Sequence, residues 1–211
     1  MKNIIYREYQ PKDFNALSEI IRITWEHDKF CTPKTAVLLS DTYLRFCLAG
    51  QTFTQVAELD GEIIGIIMGN NLQRPHHSFL LWLQAWQALL HLSLSAEGRK
   101  AWAFFKQIDE IYEQLLAENA KEYQGELSFL AVHPDYRGMG IGKGLFHIFE
   151  QYRKQEHIEN FYVFTDTSCN YGFYESQNMA QSGAQAIYLD IDSKTASCTI
   201  FIYDNVPKYN R

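Results

Sequence analysis

Glycines alternate with larger residues between two cations in Arg137-Gly138-Met139-Gly140-Ile141-Gly142-Lys143. The segment follows an apolar, β-rich run over 127–132 and precedes a helical pattern over about 142–155. Glycine has no Cβ, so the backbone there can come close to a ligand. Successive N–H groups at a helix start form a nest for an anion, and the helix dipole adds partial positive charge. Arg137 and Lys143 flank that nest with full charges. The chemistry this predicts is binding of a phosphate-bearing ligand; a purely structural turn is the alternative, and it gives the two cations no task.

Two common phosphate motifs do not fit. A Walker A loop needs G-x-x-x-x-G-K-[ST], but Gly142-Lys143 is followed by Gly144, and Arg137 stands where the first glycine belongs. The dinucleotide fingerprint G-x-G-x-x-G fails as well: Gly138 and Gly140 lead to Lys143, and Gly140 and Gly142 lead to Leu145.

Metal chemistry finds no pattern. Cys31, Cys47, Cys169 and Cys198 form no C-x-x-C pair. His76, His77 and His91 do not form H-E-x-x-H and read as loop or solvated histidines. Unpatterned cysteines suit a reducing compartment, and the charged start of the chain, Lys2 to Glu8, is no signal peptide, so a cytoplasmic location is expected. A net charge of −6 argues against a protein that coats nucleic-acid phosphates. Asp28 and Asp166 could attract a cationic substrate, though both also suit the surface.

The elements that must position the loop are legible as periodicities. At ~150 residues per domain, 211 residues make one domain with room for an insertion. A strand is expected over 3–9. A helix opens at Pro11 and runs to about 26 on Phe14, Leu17, Ile20 and Ile21. A second helix covers about 35–48 and stops at Gly50. Asp60-Gly61 divides a hairpin over 52–71, because both turn positions need positive φ. Later come a short helix over about 170–177 and strands over 161–165, 184–191 and 197–204.

Residues 75–123 differ in character. No Asp, Glu, Lys or Arg occurs over the 22 residues from Pro75 to Ala96, long enough to ask about a membrane span. Gln84, Gln87, His91 and Ser95 recur at helical spacing, however, and this polar stripe favours an amphipathic or half-buried helix. Gly98 marks a turn. A second helix over 99–122 carries Trp102, Phe105, Ile108, Ile111, Tyr112, Leu115 and Leu116 on one face. The expectation is a helical hairpin inserted into an α/β domain.

The stretch Leu130-Ala131-Val132-His133-Pro134-Asp135-Tyr136-Arg137-Gly138-Met139-Gly140-Ile141-Gly142 closely resembles motif A of the GNAT (GCN5-related N-acetyltransferase) superfamily. That pattern is a strand, V-x-P-x-[YFW]-[RQ]-[RG]-x-G-[IVL]-[GA], then a helix. The order of elements outside 75–123 agrees with it. The resemblance implies an α/β (α+β mixed) fold with a six- or seven-stranded mixed sheet flanked by helices. It implies acetyl-CoA as acyl donor and no metal. Arg137, Gly138, Met139, Gly140, Ile141, Gly142 and Lys143 would hold the pyrophosphate. Leu130, Ala131 and Val132 would run beside the pantetheine arm. The Leu130 N–H would face the thioester carbonyl, where it can stabilise an oxyanion.

The resemblance also supplies candidate catalytic groups. An alkylamine is mostly protonated at neutral pH, so a base must free its lone pair. Glu126 stands where some family members place that base; a solvated strand-end glutamate is the equal alternative. Asn170-Tyr171-Gly172-Phe173-Tyr174-Glu175 resembles the family's N-x-x-x-[FL]-Y-x element. Tyr174 would protonate the leaving thiolate. Asn170 would bond the pantetheine amide and cap a helix, and Phe173 belongs to the same cofactor-binding element. Cys169 lies near the expected thioester, but a buried thiol is its commoner reading. Asn178-Met179 replaces the family's Gly-Phe pair, a departure next to the acceptor wall.

The implied function is transfer of acetyl from acetyl-CoA to a primary amine of a small molecule. A protein lysine or N-terminus as acceptor, and a non-catalytic CoA-binding or assembly protein, are the alternatives. The inserted hairpin could wall the acceptor site, form a homodimer contact or rest on a membrane, of which the last is the least favoured.

Overall fold

The computed structural model describes residues 3–76, 78–191 and 194–206. His77 of the His76-His77 pair is outside them. A seven-stranded mixed sheet runs β1-β2-β3-β4-β5-β7-β6. Its strands are β1 (Ile4–Glu8), β2 (Phe53–Leu59), β3 (Glu62–Asn71), β4 (Gly125–Val132), β5 (Phe161–Asp166), β6 (Ala180–Ile191) and β7 (Lys194–Asp204). Every neighbouring pair is antiparallel except β4 with β5. This is the mixed sheet flanked by helices that the resemblance implied.

Local chemistry accounts for most elements. Asp60 and Gly61 take φ of 54° and 87°, the two left-handed positions of a tight hairpin turn between β2 and β3. Helix α1 (Phe14–Thr24) begins after a 3₁₀ turn at Pro11–Asp13, and α2 (Pro33–Gly50) has proline in its first turn. Leu17, Ile20 and Ile21 of α1 and Leu44 of α2 bury against Val56, Ile66, Met68, Phe129 and Ala131 on one face of the sheet. On the other face lies α5 (Ile141–Gln155), whose Ile141, Leu145, Phe146 and Phe149 cover Ala57, Ile64, Ile67 and Leu127. The sheet is thus sealed on both sides around β3 and β4.

The inserted segment forms α3 (Phe79–Ser93) and α4 (Ala96–Asn119). Helix α4 packs Leu115, with Ile108, Ile111 and Tyr112, onto Tyr162, Ile200 and Ile202 of the sheet. Gly98 does not make the turn. The turn falls at Leu94-Ser95, and the Ser95 hydroxyl caps α4 by accepting from the Gly98 N–H at 2.9 Å. Gly98 is small because a Cβ there would run into the Leu92 carbonyl.

The polar stripe of α3 does not divide inside from outside as its spacing suggests. Ala85, Leu89 and Leu92 face the protein, and Gln84 accepts from Arg45 at 3.3 Å. The outward side carries Phe79, Leu80, Trp82, Leu83, Trp86 and Leu90. Leu89 and Leu92 pack on Leu39 of α2, and this contact covers only one side of α3, so its other bulky residues face away. Among the described residues, no helix is long and apolar enough to cross a membrane.

Strands β6 and β7 begin at Ala180 and Lys194, earlier than their apolar patterns. Ala180-Gln181-Ser182-Gly183 reads as loop, yet Ala180 pairs with Asp204 and the register absorbs a bulge between Gln181 and Gly183. Ladder hydrogen bonds from β7 override a weak local preference there.

Candidate active site

The parallel pair β4 and β5 is joined only at Gly125↔Phe161 and Glu126↔Tyr162. Beyond Glu126 the strands diverge. Leu130, Ala131 and Val132 pair with Ile67, Ile66 and Gly65 of β3 on one side and with no β5 residue on the other. The register against β3 steps from Gly69↔Leu127 to Met68↔Phe129, so Ser128 is an extra residue in β4. A bulge of this kind bends the bulged strand and raises its twist. Ser128 is held in place by donating to Gln51 Oε1 at 3.0 Å. The outcome is a slot open along the backbone of β4.

The glycine loop closes one end of the slot. His133 N–H donates to the Ile64 carbonyl at 2.9 Å, and Tyr136 Oη donates to Glu62 Oε2 at 2.7 Å. These bonds anchor the loop on β3. Gly138 and Gly140 both adopt φ of +80°, where a side chain is strained. Gly140 is the N-cap of α5 and offers no side-chain oxygen to its first-turn amides. Those amides remain available to an external anion. Arg137, Met139 and Lys143 are exposed around them. Positive-φ glycines, open amides and flanking cations suit the pyrophosphate of acetyl-CoA, and the one-sided β4 backbone suits an extended amide-bearing arm.

The short helix α6 (Gly172–Ser176) meets this end of the slot. A Cβ on Gly142 would lie 3.8 Å from both Phe173 and Val132, so loop, β4 and α6 converge there. Asn170 does not cap α6 with its side chain: Tyr171 is the N-cap, and Asn170 contributes its carbonyl, which accepts from Phe173 N–H at 3.1 Å. Its amide side chain is exposed. Tyr174 is 8% exposed, and its hydroxyl is held well above the ordinary phenol range by burial, with Cys169 and Asp166 adding to the effect. It therefore keeps its proton at neutral pH. Burial, then Asp166, raises the Cys169 thiol, which disfavours a thiolate nucleophile.

At its other end the slot opens on a cluster that periodicity alone did not assemble. Burial raises the Glu126 carboxyl above the usual range, partly opposed by Ser128. Its charge is felt by Tyr43, Cys47, Tyr112 and Tyr162. Helix α4 contributes Asp109 and Tyr112; Asp109 is also raised, by burial and by Glu113. Tyr112 stacks on Phe164 of β5, with ring centroids 3.9 Å apart and planes within 4°. Asp166 at the end of β5 acts on the same Tyr112. Glu126 and Asp109 keep solvent contact although protein crowds around them, as groups lining a cleft do. None of Glu126, Asp109 and Asp166 forms an ion pair among the described residues. Asp28 does not join them, because its carboxylate pairs with Arg22. Phe105, Asp109 and Tyr112 share one helical face, but nothing in the sequence says which part of the sheet that face covers.

His27 lies beside this region. It is 3% exposed, its Nδ1 bonds Ser40 Oγ at 2.7 Å, and its Nε2 has no partner. Burial lowers its pKa to about 4 from 6.5. The ring is neutral in the fold, so below pH 6.5 only the unfolded chain gains the proton. Stability present above that pH should fall by on the order of 3 kcal/mol as pH drops toward about 4. Urea unfolding of the chain and of His27→Gln across this window checks it; the variant should show a flatter profile.

His76 and His91 are exposed. Among the described residues, no group of three or more His, Cys, Asp or Glu could hold a metal ion.

Comparison with the curated proteins returned no match. Solved structures do match the fold. The smu.2055 protein of Streptococcus mutans UA159 aligns at a TM-score of 0.55 and 14% identity, covering 96% of this chain and 99% of that one. Ard1 from Thermoplasma volcanium aligns at 0.52 and 14%, covering 95% of each. An N-acetyltransferase from Staphylococcus aureus Mu50 aligns at 0.52 and 12%, covering 97% and 99%. At these identities the likeness is one of fold. The family assignment comes from residues 14–179, which match the Acetyltransferase (GNAT) family and include β4, the glycine loop, α5 and Tyr174. The chain belongs to the GNAT family of acetyltransferases.

Proposed function

We propose that this protein transfers the acetyl group of acetyl-CoA to the primary amine of a small cationic molecule, by direct attack of the amine on the thioester. The observation that carries this reading is the slot between β4 and β5, with a positive-φ glycine loop and its flanking cations at one end and carboxylates outside any ion pair, among aromatic rings, at the other. Acetyl-CoA supplies the activated acyl group. The amides of Gly138, Met139, Gly140, Ile141, Gly142 and Lys143, with the Arg137 and Lys143 charges, hold its pyrophosphate. Leu130, Ala131 and Val132 align its arm, Asn170 and Phe173 border it, and the Leu130 N–H is aimed at the developing oxyanion.

Glu126 receives the proton of the incoming ammonium. Its pKa, raised by burial, makes it a stronger base than an ordinary carboxylate. Asp109 and Asp166 attract the cation, and Tyr43 with the stacked Tyr112–Phe164 pair forms the aromatic surround for its body. The Tyr174 hydroxyl donates a proton to the departing sulfur. The whole of 1–211 acts as one catalytic unit, with 75–123 inserted to form the acceptor wall. That wall is what favours a small molecule over a protein side chain, since α4 lies over the acceptor end of the slot.

Two measurements test the reading. Thermal unfolding should show stabilisation by acetyl-CoA, and a panel of alkyl and arylalkyl amines should release free CoA thiol. Binding without turnover on any amine would favour a CoA-responsive assembly protein. Tyr174→Phe should lower kcat by about 10²-fold with acetyl-CoA stabilisation unchanged. Full turnover in that variant would remove the proton-donor role.

A further inference from the structure

We propose that the outward face of α3 is the interface of a homodimer, in which two copies of α3 pack antiparallel across a twofold axis between Trp86 and Gln87. The face is apolar to a degree that a monomer rarely tolerates. Phe79 is 79% exposed, Leu80 64%, Trp82 49%, Leu83 43%, Trp86 46%, Leu90 64% and Leu94 74%. For side chains of about 150–250 Å², these fractions amount to roughly 600–1,000 Å² on each copy. Monomers rarely expose a continuous apolar patch above a few hundred Å². A stable dimer buries about 800 Å² per partner, so this face alone can supply an interface.

The residues are arranged to meet their own copies. Phe79, Leu83, Trp86, Leu90 and Leu94 follow one another at spacings of four, three, four and four. They form a single seam along the helix. Counting outward from the midpoint between Trp86 and Gln87, Leu83 is as far from it as Leu90, and Phe79 as far as Leu94. An antiparallel twofold therefore sets Leu83 against Leu90 of the second copy and Phe79 against Leu94. This reciprocal matching is what an isologous interface requires. Trp86 is already braced from behind, edge-on to Phe46 at 5.8 Å and to Trp82 at 5.2 Å. A braced aromatic at the centre loses little freedom on binding, as an interface anchor should.

Charge selects the second copy over a lipid surface. Interfacial membrane helices carry Lys and Arg beside their apolar face. No Lys or Arg occurs from Pro75 to Ala96, and the chain's net charge is −6, which anionic headgroups repel. An uncharged face meeting its own image carries no such penalty.

Sedimentation velocity of the full chain, over a concentration series, should give a species of twice the 24.6 kDa chain mass. Leu83→Glu with Leu90→Glu places four carboxylates at the paired positions and should weaken the dimer at least about 100-fold. Both side chains are exposed, so the variant should keep its far-ultraviolet circular dichroism and its acetyl-CoA stabilisation. Under mild oxidation, a mixture of Leu83→Cys and Leu90→Cys chains should cross-link, and each alone should not. A monomer at every concentration overturns the proposal. So does a dimer that survives the double glutamate change, or cross-linking of either cysteine variant with itself. Co-flotation of the monomer with phosphatidylcholine–phosphatidylserine vesicles would reassign the face to lipid and overturn it as well.

Discussion

Glu126→Gln is expected to lower kcat by about 10²–10⁴-fold while leaving stabilisation by acetyl-CoA intact. Glutamine has the same shape and can occupy the same place at the mouth of the slot, but it cannot hold the amine's proton. The loss should therefore fall on the chemical step and not on donor binding. The pH profile is the sharper reading. A carboxyl raised by burial is protonated, and inactive as a base, at acid pH; kcat/KM should rise with pH through a pKa above that of an ordinary glutamate. In Glu126→Gln this limb should vanish, leaving the slow reaction of amine that is already neutral, which grows with pH as the amine itself deprotonates. Initial rates from acid to mildly alkaline pH, at saturating acetyl-CoA, distinguish the two. An unchanged acid limb in the variant would show that another group takes the proton. Asp109, raised by burial and by Glu113, would then be the next to replace.

Gly140→Asp is expected to abolish acetyl-CoA binding with little damage to the free protein. At about 100 times its dissociation constant a ligand adds about 2.7 kcal/mol to folding stability, and that shift should disappear in the variant. A Cβ at residue 140 meets nothing within 4 Å, so no clash arises. The strain of a side chain at φ +80° is about 1 kcal/mol, least for Asp and Asn. An aspartate at the start of α5 also gains from the helix dipole, which offsets part of that strain. The same carboxylate occupies the anion nest and repels a pyrophosphate. Gly140→Asn separates the causes: it has nearly the same size and backbone preference but no charge, and should keep most of the stabilisation. Equal loss in both variants would mean that side-chain volume, not charge, closes the nest. Thermal unfolding with and without acetyl-CoA is enough to read all three proteins.

The features that could be read without the fold are those set by neighbours in the chain. Asp60-Gly61 must take positive φ, and a two-residue turn of that kind joins adjacent antiparallel strands. The loop from Arg137 to Lys143 carries its meaning in composition and in its place between strand and helix. Leu17, Ile20 and Ile21 mark the inward face of α1 by spacing alone. The neighbours Asn170 to Glu175 single out Tyr174 as a candidate, although the same element misleads on Asn170, whose carbonyl rather than side chain serves α6. Cap geometry depends on where the chain enters the helix, and β5 decides that.

Other features have no local cause. Ser128 becomes a bulge because β3 pairs with the residues on either side of it, and this opens the slot. Gly98 is needed for the closeness of Leu92, a neighbour created by the angle between two helices. Asp109 and Tyr112 come to Glu126 only because α4 folds back over β5, and Asp28 drops out because Arg22 reaches it first. The same packing covers only the Ala85, Leu89 and Leu92 side of α3 and leaves its other bulky apolar residues outside, an outcome set by what lies against the helix. By itself, then, the sequence determined this protein's elements, its glycine-rich loop and its family, because turn geometry, helical period and a helix N-terminus are properties of contiguous residues. The tertiary structure alone decided the shape of the slot, the carboxylates at its mouth and the exposed face of α3. Each of these depends on contacts between residues far apart in the chain, and no local preference encodes them.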